Sequence, residues 1–314
     1  MRPLPAALLA LVLLAVPATA LAAFPGDNGR IAFVSDRDGG DLDIWTMRDD
    51  GSGLRNLTAA SAEAELHPAW SPDGRRIAFQ RDPDLGGPVD GEIWVMRADG
   101  SGLRQLTNNE VEDVEPAWSP DGRLIVFTRF VPEEDGEIWI MRADGSGAKQ
   151  ITDNEVDDFE PAWSPDGRRI AFDRDIEEDV DIWDMKPNGK DERQLTDAPG
   201  FDGGPNYSPD GRRIAFDSER DGNANIYSMR ADGSGETRLT DDPALDILTG
   251  WSPDGRYISF SSERDGNGDV YVMRSNGSNE TNRTSNPAFD FDPDWQPLDD
   301  DDHHHGHHGH DHDH

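Results

Sequence analysis

Near-copies of one short motif recur along almost the whole chain, and this repetition limits what the chain can fold into. The clearest copy is Pro-Ala-Trp-Ser-Pro-Asp-Gly-Arg-Arg-Ile-Ala-Phe at 161–172. Its Trp, or a Tyr in the same place, is separated from the next by 48, 45, 44, 44 and 44 residues, at Trp70, Trp118, Trp163, Tyr207, Trp251 and Trp295. A fixed period of this length is the signature of a repeat architecture.

Each repeat divides into four segments that are typical of short strands. In one unit these are 116–118, 123–127, 137–142 and 149–152, and the first two are joined by Ser-Pro-Asp-Gly, which suits a type I turn. The third segment ends in Ala-Asp-Gly-Ser-Gly, which is a hairpin signal. Four short strands in about 45 residues are what one β-propeller blade requires.

The two ends of the repeat region are complementary. Residues 26–33 carry the turn and second strand of a unit without the first strand, whereas 292–297 supply a first strand and then stop. Pairing them would close a ring and leave no exposed sheet edge. The sequence therefore predicts an all-β fold, a six-bladed β-propeller of four-stranded blades over 24–298, closed when the C-terminal strand completes the first blade.

The repeated residues also carry a family resemblance. Trp-Ser-Pro-Asp-Gly, then Ile-Ala-Phe, then Ile-Trp-x-Met-Arg-Ala-Asp-Gly-Ser-Gly, then Leu-Thr, resembles the WD40-like PD40 repeat of the propeller domain of TolB, a periplasmic protein of the Tol system. The resemblance extends over 24–297 and includes no counterpart of the N-terminal α/β domain of TolB. It implies the propeller fold and a location outside the cytoplasm.

The N-terminal residues indicate export. Arg2, the apolar run 6–16 and the small residues 18–20 form the three parts of a secretory signal, so 1–23 is predicted to be a signal peptide. The apolar run is too short to span a bilayer. We therefore expect a periplasmic or secreted protein with no membrane span in the mature chain.

Charge and cysteine content exclude several classes of function. The net charge of −36 repels nucleic acid and anionic membranes and favours cations or basic partners; the alternative is that it serves solubility alone. The chain has no cysteine, which excludes disulfides, thiolate metal sites and a cysteine nucleophile.

The last sixteen residues, 299–314, are too polar to form a core and are predicted to be a disordered tail. Their histidines can bind Zn²⁺, Ni²⁺ or Cu²⁺ when neutral, with nearby aspartates adding charge. The alternatives are an expression tag and a merely solvating tail. The predicted metal ligands are His303, His304, His305, His307, His308, His310, His312 and His314.

An acidic residue lies five positions before the repeat Trp or Tyr in every unit. We expect these six side chains to lie in loops at the channel mouth, where they hold a cation or a basic ligand, or else bond loop amides. They are Glu65, Asp113, Asp158, Asp202, Asp246 and Asp290. An arginine also recurs near the hairpins and is expected to pair with neighbouring acids: Arg37, Arg81, Arg129, Arg174, Arg220 and Arg264.

Three positions before the Trp, the units differ from one another. This series contains His67, Glu115, Glu160 and Asp292, with Gly204 and Leu248 in the other two units. Binding sites break repeat symmetry, so these four side chains form a candidate ligand face.

Two hairpins resemble oxygen-rich calcium loops, although both lack the closing glutamate of an EF-hand. Calcium is therefore a less favoured alternative to a plain hairpin tip. The residues are Asp36, Asp38, Asp41 and Asp43 in one hairpin, and Asp265, Asn267 and Asp269 in the other.

These features predict a non-catalytic binding scaffold for a protein or peptide partner, which the charge suggests is basic. The chain is expected to be a monomer that also binds a divalent metal through its tail. No Gly-x-Ser-x-Gly motif is present, and no residue is predicted to be catalytic. Two alternatives remain open: a metal-capture or metal-sensing protein, and a polysaccharide lyase or glycosidase acting at the channel mouth with Glu115 or Glu160.

Overall fold

The structure is a computed structural model, and it describes residues 23–83, 91–131 and 134–298. Nearly all of the predicted signal peptide and the whole predicted metal-binding tail therefore lie outside the described residues. Within the described ranges the regular elements are β-strands, arranged as six four-stranded antiparallel sheets. No helix in this part of the chain is long and apolar enough to cross a membrane.

Each sheet is one blade, with strands called A to D from the axis outwards. The A strands are β4 (Ala64–Trp70), β8 (Glu112–Trp118), β12 (Asp158–Trp163), β16 (Asp202–Tyr207), β20 (Asp246–Trp251) and β24 (Asp290–Leu298). The B strands are β1 (Asp27–Ser35), β5 (Arg76–Asp82), β9 (Leu124–Phe130), β13 (Ile170–Ile176), β17 (Arg213–Ser218) and β21 (Tyr257–Ser262).

The outer half of each blade contains the C and D strands. The C strands are β2 (Asp43–Met47), β6 (Glu92–Arg97), β10 (Gly136–Arg142), β14 (Asp179–Met185), β18 (Asn225–Arg230) and β22 (Asp269–Arg274). The D strands are β3 (Arg55–Asn56), β7 (Arg104–Gln105), β11 (Lys149–Gln150), β15 (Arg193–Gln194), β19 (Thr237–Arg238) and β23 (Thr281–Asn282). D strands of two residues leave little edge for pairing with another chain.

The ring closes as the sequence predicts. Strand β24 pairs antiparallel with β1, with Trp295 opposite Ile31 and Asp290 opposite Ser35, so blade 1 has the order β24-β1-β2-β3. Blades 2 to 6 follow in chain order from β4 to β23. The first and last described segments of the chain therefore share a sheet, and the six-bladed fold is confirmed.

The core repeats from blade to blade. The Phe of Ile-x-Phe in the B strand is fully buried in all six blades. The repeat Trp or Tyr in each A strand is at most 3% exposed. The C-strand residues Trp94 and Trp139 are partly exposed; they pack against the hydrophobic core, and an arginine side chain lies over each ring.

Candidate functional site

The six acids that precede the repeat Trp are each bound by an arginine of the same blade. They begin or nearly begin the A strands rather than lying in loops, because their backbone already pairs with the B strand. Every one of these side chains is at most 1% exposed. The pairs are Asp290–Arg37, Glu65–Arg81, Asp113–Arg129, Asp158–Arg174, Asp202–Arg220 and Asp246–Arg264, with N–O distances of 2.5–2.8 Å.

The same arginines cover the aromatic residues of their blades. The Arg129 guanidinium lies 4.3 Å from the centre of the Trp139 ring and 5.5 Å from that of Phe127. Equivalent contacts occur in the other five blades. A guanidinium over an aromatic face is stabilised by cation–π attraction. Each acid and arginine therefore form a structural clamp, and the predicted pairing of acids with arginines is confirmed.

The irregular series, three positions before the Trp, lies at a bulge in each A strand. The pairing register with strand B shifts at this point in every blade, and all six residues have φ between 52° and 63°. Glycine adopts this conformation without strain, as at Gly204, whereas a side chain such as that of Leu248 does so at a cost. The residues are His67, Glu115, Glu160, Gly204, Leu248 and Asp292, all buried.

This bulge explains a second irregular series that sequence reasoning missed. The residue after the B-strand Phe accepts a hydrogen bond from the backbone N–H of the bulged residue in the next blade. Asp173 Oδ2 accepts from Gly204 N–H at an N–O distance of 2.9 Å, and Asp217 Oδ1 accepts from Leu248 N–H at 3.3 Å. Ser261 Oγ accepts from Asp292 N–H at 3.0 Å. In blade 3 both Thr128 Oγ1 and Glu115 Oε2 receive the N–H of Glu160, at 3.2 and 2.8 Å. In the sequence, this series could have been recognised because the residue that follows Ile-x-Phe differs from unit to unit.

Together these side chains form an axial cluster, defined as His67, Glu115, Glu160, Asp173, Asp217 and Asp292. Each is at most 2% exposed. His67 Nδ1 lies 3.2 Å from Asp292 Oδ2, which joins blades 1 and 2, and Thr128 donates to Glu115 at 2.7 Å. The predicted ligand face thus lies inside the ring, where it links neighbouring blades.

Burial controls the protonation of the axial cluster. Burial and the neighbouring carboxylates Asp173 and Glu115 hold the pKa of Glu160 well above its usual range. Burial likewise raises the pKa of Asp173 well above normal and that of Asp217 to about 8. A protonated carboxyl group can donate a hydrogen bond to a facing carboxylate, so these groups can share protons along the axis.

Histidine 67 responds to the same surroundings in a different way. Burial alone would lower its pKa, but the hydrogen bond to Asp292 and the charge of Glu115 raise it above the usual value. Burial also raises the pKa of Glu115, and the charge of His67 opposes that rise. The axis therefore contains one cation-forming group among several acids.

The two hairpins that resemble calcium loops use their oxygens internally. Asp43 accepts hydrogen bonds from Thr58 and Asn56 at 2.8 and 2.9 Å, and Asp269 accepts from Thr284 and Asn282 at 2.9 and 3.0 Å. Within the ranges that the structure describes, no three His, Asp or Glu side chains lie close enough together to hold a metal ion. The eight tail histidines are outside those ranges.

Charge is divided unequally between the two ends of the propeller. The turn face, formed by the A–B turns and C–D hairpins, has sixteen Lys or Arg and twelve Asp. Among the residues that the structure describes, the loop face, formed by the B–C hairpins and D–A loops, has twenty Asp or Glu and four Arg. The turn-face ranges are 25–30, 48–53, 71–76, 97–102, 119–124, 142–147, 164–169, 186–191, 208–213, 230–235, 252–257 and 274–279. The described loop-face ranges are 36–42, 57–63, 82–83, 91, 106–111, 131, 134–135, 151–157, 177–178, 195–201, 219–224, 239–245, 263–268 and 283–289.

The chain is therefore a six-bladed β-propeller. Buried ion pairs stabilise each blade, and buried polar side chains lie along the axis of the ring. Residues 190–302 match the family model described as the TolB β-propeller domain, PD40. This match, over that part of the chain, supports the TolB-like PD40 resemblance that the repeats predict.

Solved structures have the same fold. TolB from Acinetobacter baumannii is 24% identical with a TM-score of 0.76, over 87% of this chain and 68% of that one. A TolB candidate from Agrobacterium tumefaciens is 23% identical with a TM-score of 0.66, over 86% and 99% of the two chains. Oligogalacturonate lyase from Vibrio parahaemolyticus is 13% identical with a TM-score of 0.57, over 85% and 77%. No curated protein matches the sequence.

Proposed function

We propose that this chain is an exported, non-catalytic scaffold whose loop face binds a basic protein or peptide. The observation that carries the proposal is the excess of acids among the described residues of that face, twenty against four arginines. Three of those four arginines, Arg37, Arg220 and Arg264, are already paired with buried acids. The exposed carboxylates are therefore available to attract and orient a positively charged partner.

Related propellers support a binding role. TolB from Acinetobacter baumannii has the same fold as this chain over 87% of this chain's length. A scaffold of this kind needs a rigid frame that carries variable loops, because binding residues concentrate in loops held by regular strands. The clamps fix the A strand to the rest of its own blade, and the axial cluster joins neighbouring blades.

The first test uses a chain that ends at Leu298 and an oligolysine peptide as the probe. We expect binding by calorimetry at low salt, with an affinity that falls steeply as salt is added, because exposed charges are screened. Charge removal on the loop face by Glu110→Gln with Glu155→Gln should weaken binding several-fold. Both side chains are exposed.

The matched control removes two exposed charges from the turn face, by Asp49→Asn with Asp144→Asn. This variant has the same net charge as the loop-face variant and should bind oligolysine as the unmodified chain does. Equal weakening by both variants would mean that only total charge matters, and the loop-face proposal would then be wrong. An oligoglutamate peptide should give no binding heat.

A second function, metal capture or sensing, is favoured by the eight histidines within 303–314. Several neutral imidazoles close together in sequence can bind Zn²⁺, Ni²⁺ or Cu²⁺. Calorimetry of residues 24–314 with Zn²⁺ or Ni²⁺ should give heat that disappears in the chain ending at Leu298. If the shorter chain gives the same Zn²⁺ or Ni²⁺ heat, the site lies in the propeller and the tail assignment fails; Ca²⁺ binding by the shorter chain would indicate a separate site in the loops.

A further inference from the structure

The B–C hairpin of blade 4 turns through two strained glutamates. Strands β13 and β14 pair as far as Ile176 and Asp179, which leaves only Glu177 and Glu178 in the turn. Their φ angles are 59° and 70°, as in a type I′ turn, for which Asn-Gly is favoured. The B–C hairpins of blades 1, 5 and 6 have glycine at a left-handed φ, at Gly39, Gly222 and Gly266. Blade 4 thus retains two exposed acids where glutamate strains the backbone.

The same hairpin exposes a large apolar side chain. Ile176 is 42% exposed. Among the described residues, the other strongly exposed large apolar side chains are Leu54 and Leu103, which both follow C–D hairpins at the turn face. At the loop-face end of the described chain, Ile176 is therefore the one large apolar side chain with this degree of exposure.

Ile176 faces the gap between blades 3 and 4. It shares a face of β13 with Phe172, which belongs to the core cluster that blade 4 forms with blade 3. Across the gap, Phe130 shares a face of β9 with Thr128, whose Oγ1 lies 3.2 Å from the Glu160 nitrogen of blade 4. The partly exposed Phe130 ring and the Ile176 side chain therefore face each other near the loop face.

Hydrogen bonds of Asp157 join the two sides of this gap. Its Oδ1 accepts from Gly136 N–H at 2.6 Å, and its backbone oxygen accepts from Asp175 N–H at 2.9 Å. Gly136 lies against the Phe130 ring, and Asp175 precedes the exposed isoleucine. These contacts bring together an apolar patch, defined as Phe130, Val156 and Ile176, whose members are all at least partly exposed.

The described loop residues around the apolar patch are acidic without a compensating base. The loop-face segments beside the patch contain seven Asp or Glu and no Lys or Arg. These segments are 131, 134–135, 151–157 and 177–178. The exposed acids among them are Glu134, Asp153, Glu155, Glu177 and Glu178. The nearest arginines, Arg129 and Arg174, are at most 15% exposed and bind buried acids, so they leave this charge uncompensated.

We propose that the apolar patch binds an aliphatic or aromatic side chain of the partner, and that the exposed acids around it bind lysines or arginines on either side of that side chain. This inference rests on the loop-face function proposed above and narrows the partner to a basic peptide with an apolar anchor. Interfaces combine a buried anchor, which supplies affinity, with a charged rim, which supplies orientation. The strained turn supports a binding role, because backbone strain concentrates at functional sites.

The first test compares two peptides on the chain ending at Leu298: hexalysine, and the same lysines with one leucine at the centre. We expect the leucine peptide to bind at least about fivefold more tightly by calorimetry, because burial of the leucine adds to the ion pairs. The advantage should persist in about 0.15 M salt, since contact between apolar groups is not screened. Equal affinities would overturn this inference and leave the loop-face function standing, whereas failure of both peptides to bind would overturn both.

Two matched substitutions locate the anchor site. Ile176→Asn should abolish the advantage of the leucine peptide over hexalysine, whereas Leu54→Asn, beside a turn-face hairpin, should preserve it. The two residues are 42% and 43% exposed. An advantage that survives Ile176→Asn, or that is lost in both variants, would contradict an anchor site between blades 3 and 4.

The strained turn provides a test in which stability and binding change in opposite directions. Glu177→Asn with Glu178→Gly should raise the thermal midpoint by about 2–4 °C, because these residues accept a left-handed φ. The same variant should bind the leucine peptide at least about fivefold more weakly, because two rim acids are lost.

The control for this variant is Asp38→Asn with Asp41→Asn, which removes the same charge from the B–C hairpin of blade 1, on the opposite side of the ring. It should weaken binding of the leucine peptide by less than about twofold, because distant exposed charges are screened. Equal weakening by the two pairs of substitutions, or a lower midpoint after Glu177→Asn with Glu178→Gly, would contradict the proposal.

Discussion

Replacing Arg174 by methionine is expected to destabilise the propeller by about 3 kcal/mol, because it leaves the buried Asp158 carboxylate without its partner. Arg174 donates to both Asp158 oxygens, at 2.6 and 2.8 Å, and the two side chains are 10% and 0% exposed. The guanidinium also lies 4.8 Å from the Trp183 ring centre. Thermal unfolding should show a midpoint lower by roughly 6–12 °C.

Two comparison variants identify the cause. Arg168→Met removes an arginine of the same blade whose side chain is 84% exposed and lies 3.7 Å from Asp166, so its effect should stay below about 0.5 kcal/mol. Adding Asp158→Asn to Arg174→Met should restore part of the lost stability, since the amide carries no buried charge. If the double variant is less stable than the single one, lost packing rather than an unpaired carboxylate is responsible.

Replacing Asp217 by asparagine is expected to stabilise the protein, and more so at high pH. Burial raises the pKa of Asp217 to about 8, well above the usual value for an unfolded chain. The folded state therefore holds this proton more tightly than the unfolded state, and the associated stability, complete below about pH 4, is lost as pH rises through about 8. Asparagine does not titrate and can still accept the Leu248 N–H.

Urea unfolding at several pH values measures this effect. Between about pH 5 and pH 9, the free energy of unfolding should fall by roughly 2–4 kcal/mol less in Asp217→Asn than in the unmodified chain. Asp49→Asn is the control, because Asp49 is exposed and the substitution changes net charge equally. A parallel pH dependence in all three proteins would show that Asp217 is ionised throughout this range.

The repeat determines most of the fold without reference to any tertiary contact. Strand number and order follow from three repeated features: a Trp at a spacing near 45 residues, the Ser-Pro-Asp-Gly turns and the Asp-Gly hairpins. Closure of the ring follows from the complementary ends of the repeat region. All of these appear in the structure, including the pairing of β24 with β1. Local turn chemistry and periodicity are properties of neighbouring residues, so sequence reasoning can recognise them.

The candidate site was only partly predictable. The regular acids and arginines could be found because each recurs in every blade, and their pairing follows from charge. The burial of Glu115 and Glu160 could not be deduced, because it depends on a bulge that turns the backbone of the A strand towards the preceding blade. For the same reason Asp173 and Asp217 looked like ordinary polar residues after a Phe.

The sequence by itself therefore determined a closed ring of six repeated blades, an acid and an arginine that recur in every unit, and the large negative charge. Only the tertiary structure decided which acids meet across blades, which of them are buried deeply enough to retain protons, and how charge is divided between the two faces. The physical reason is that burial and proximity depend on residues far apart in the chain, such as His67 and Asp292, which meet only when the ring closes.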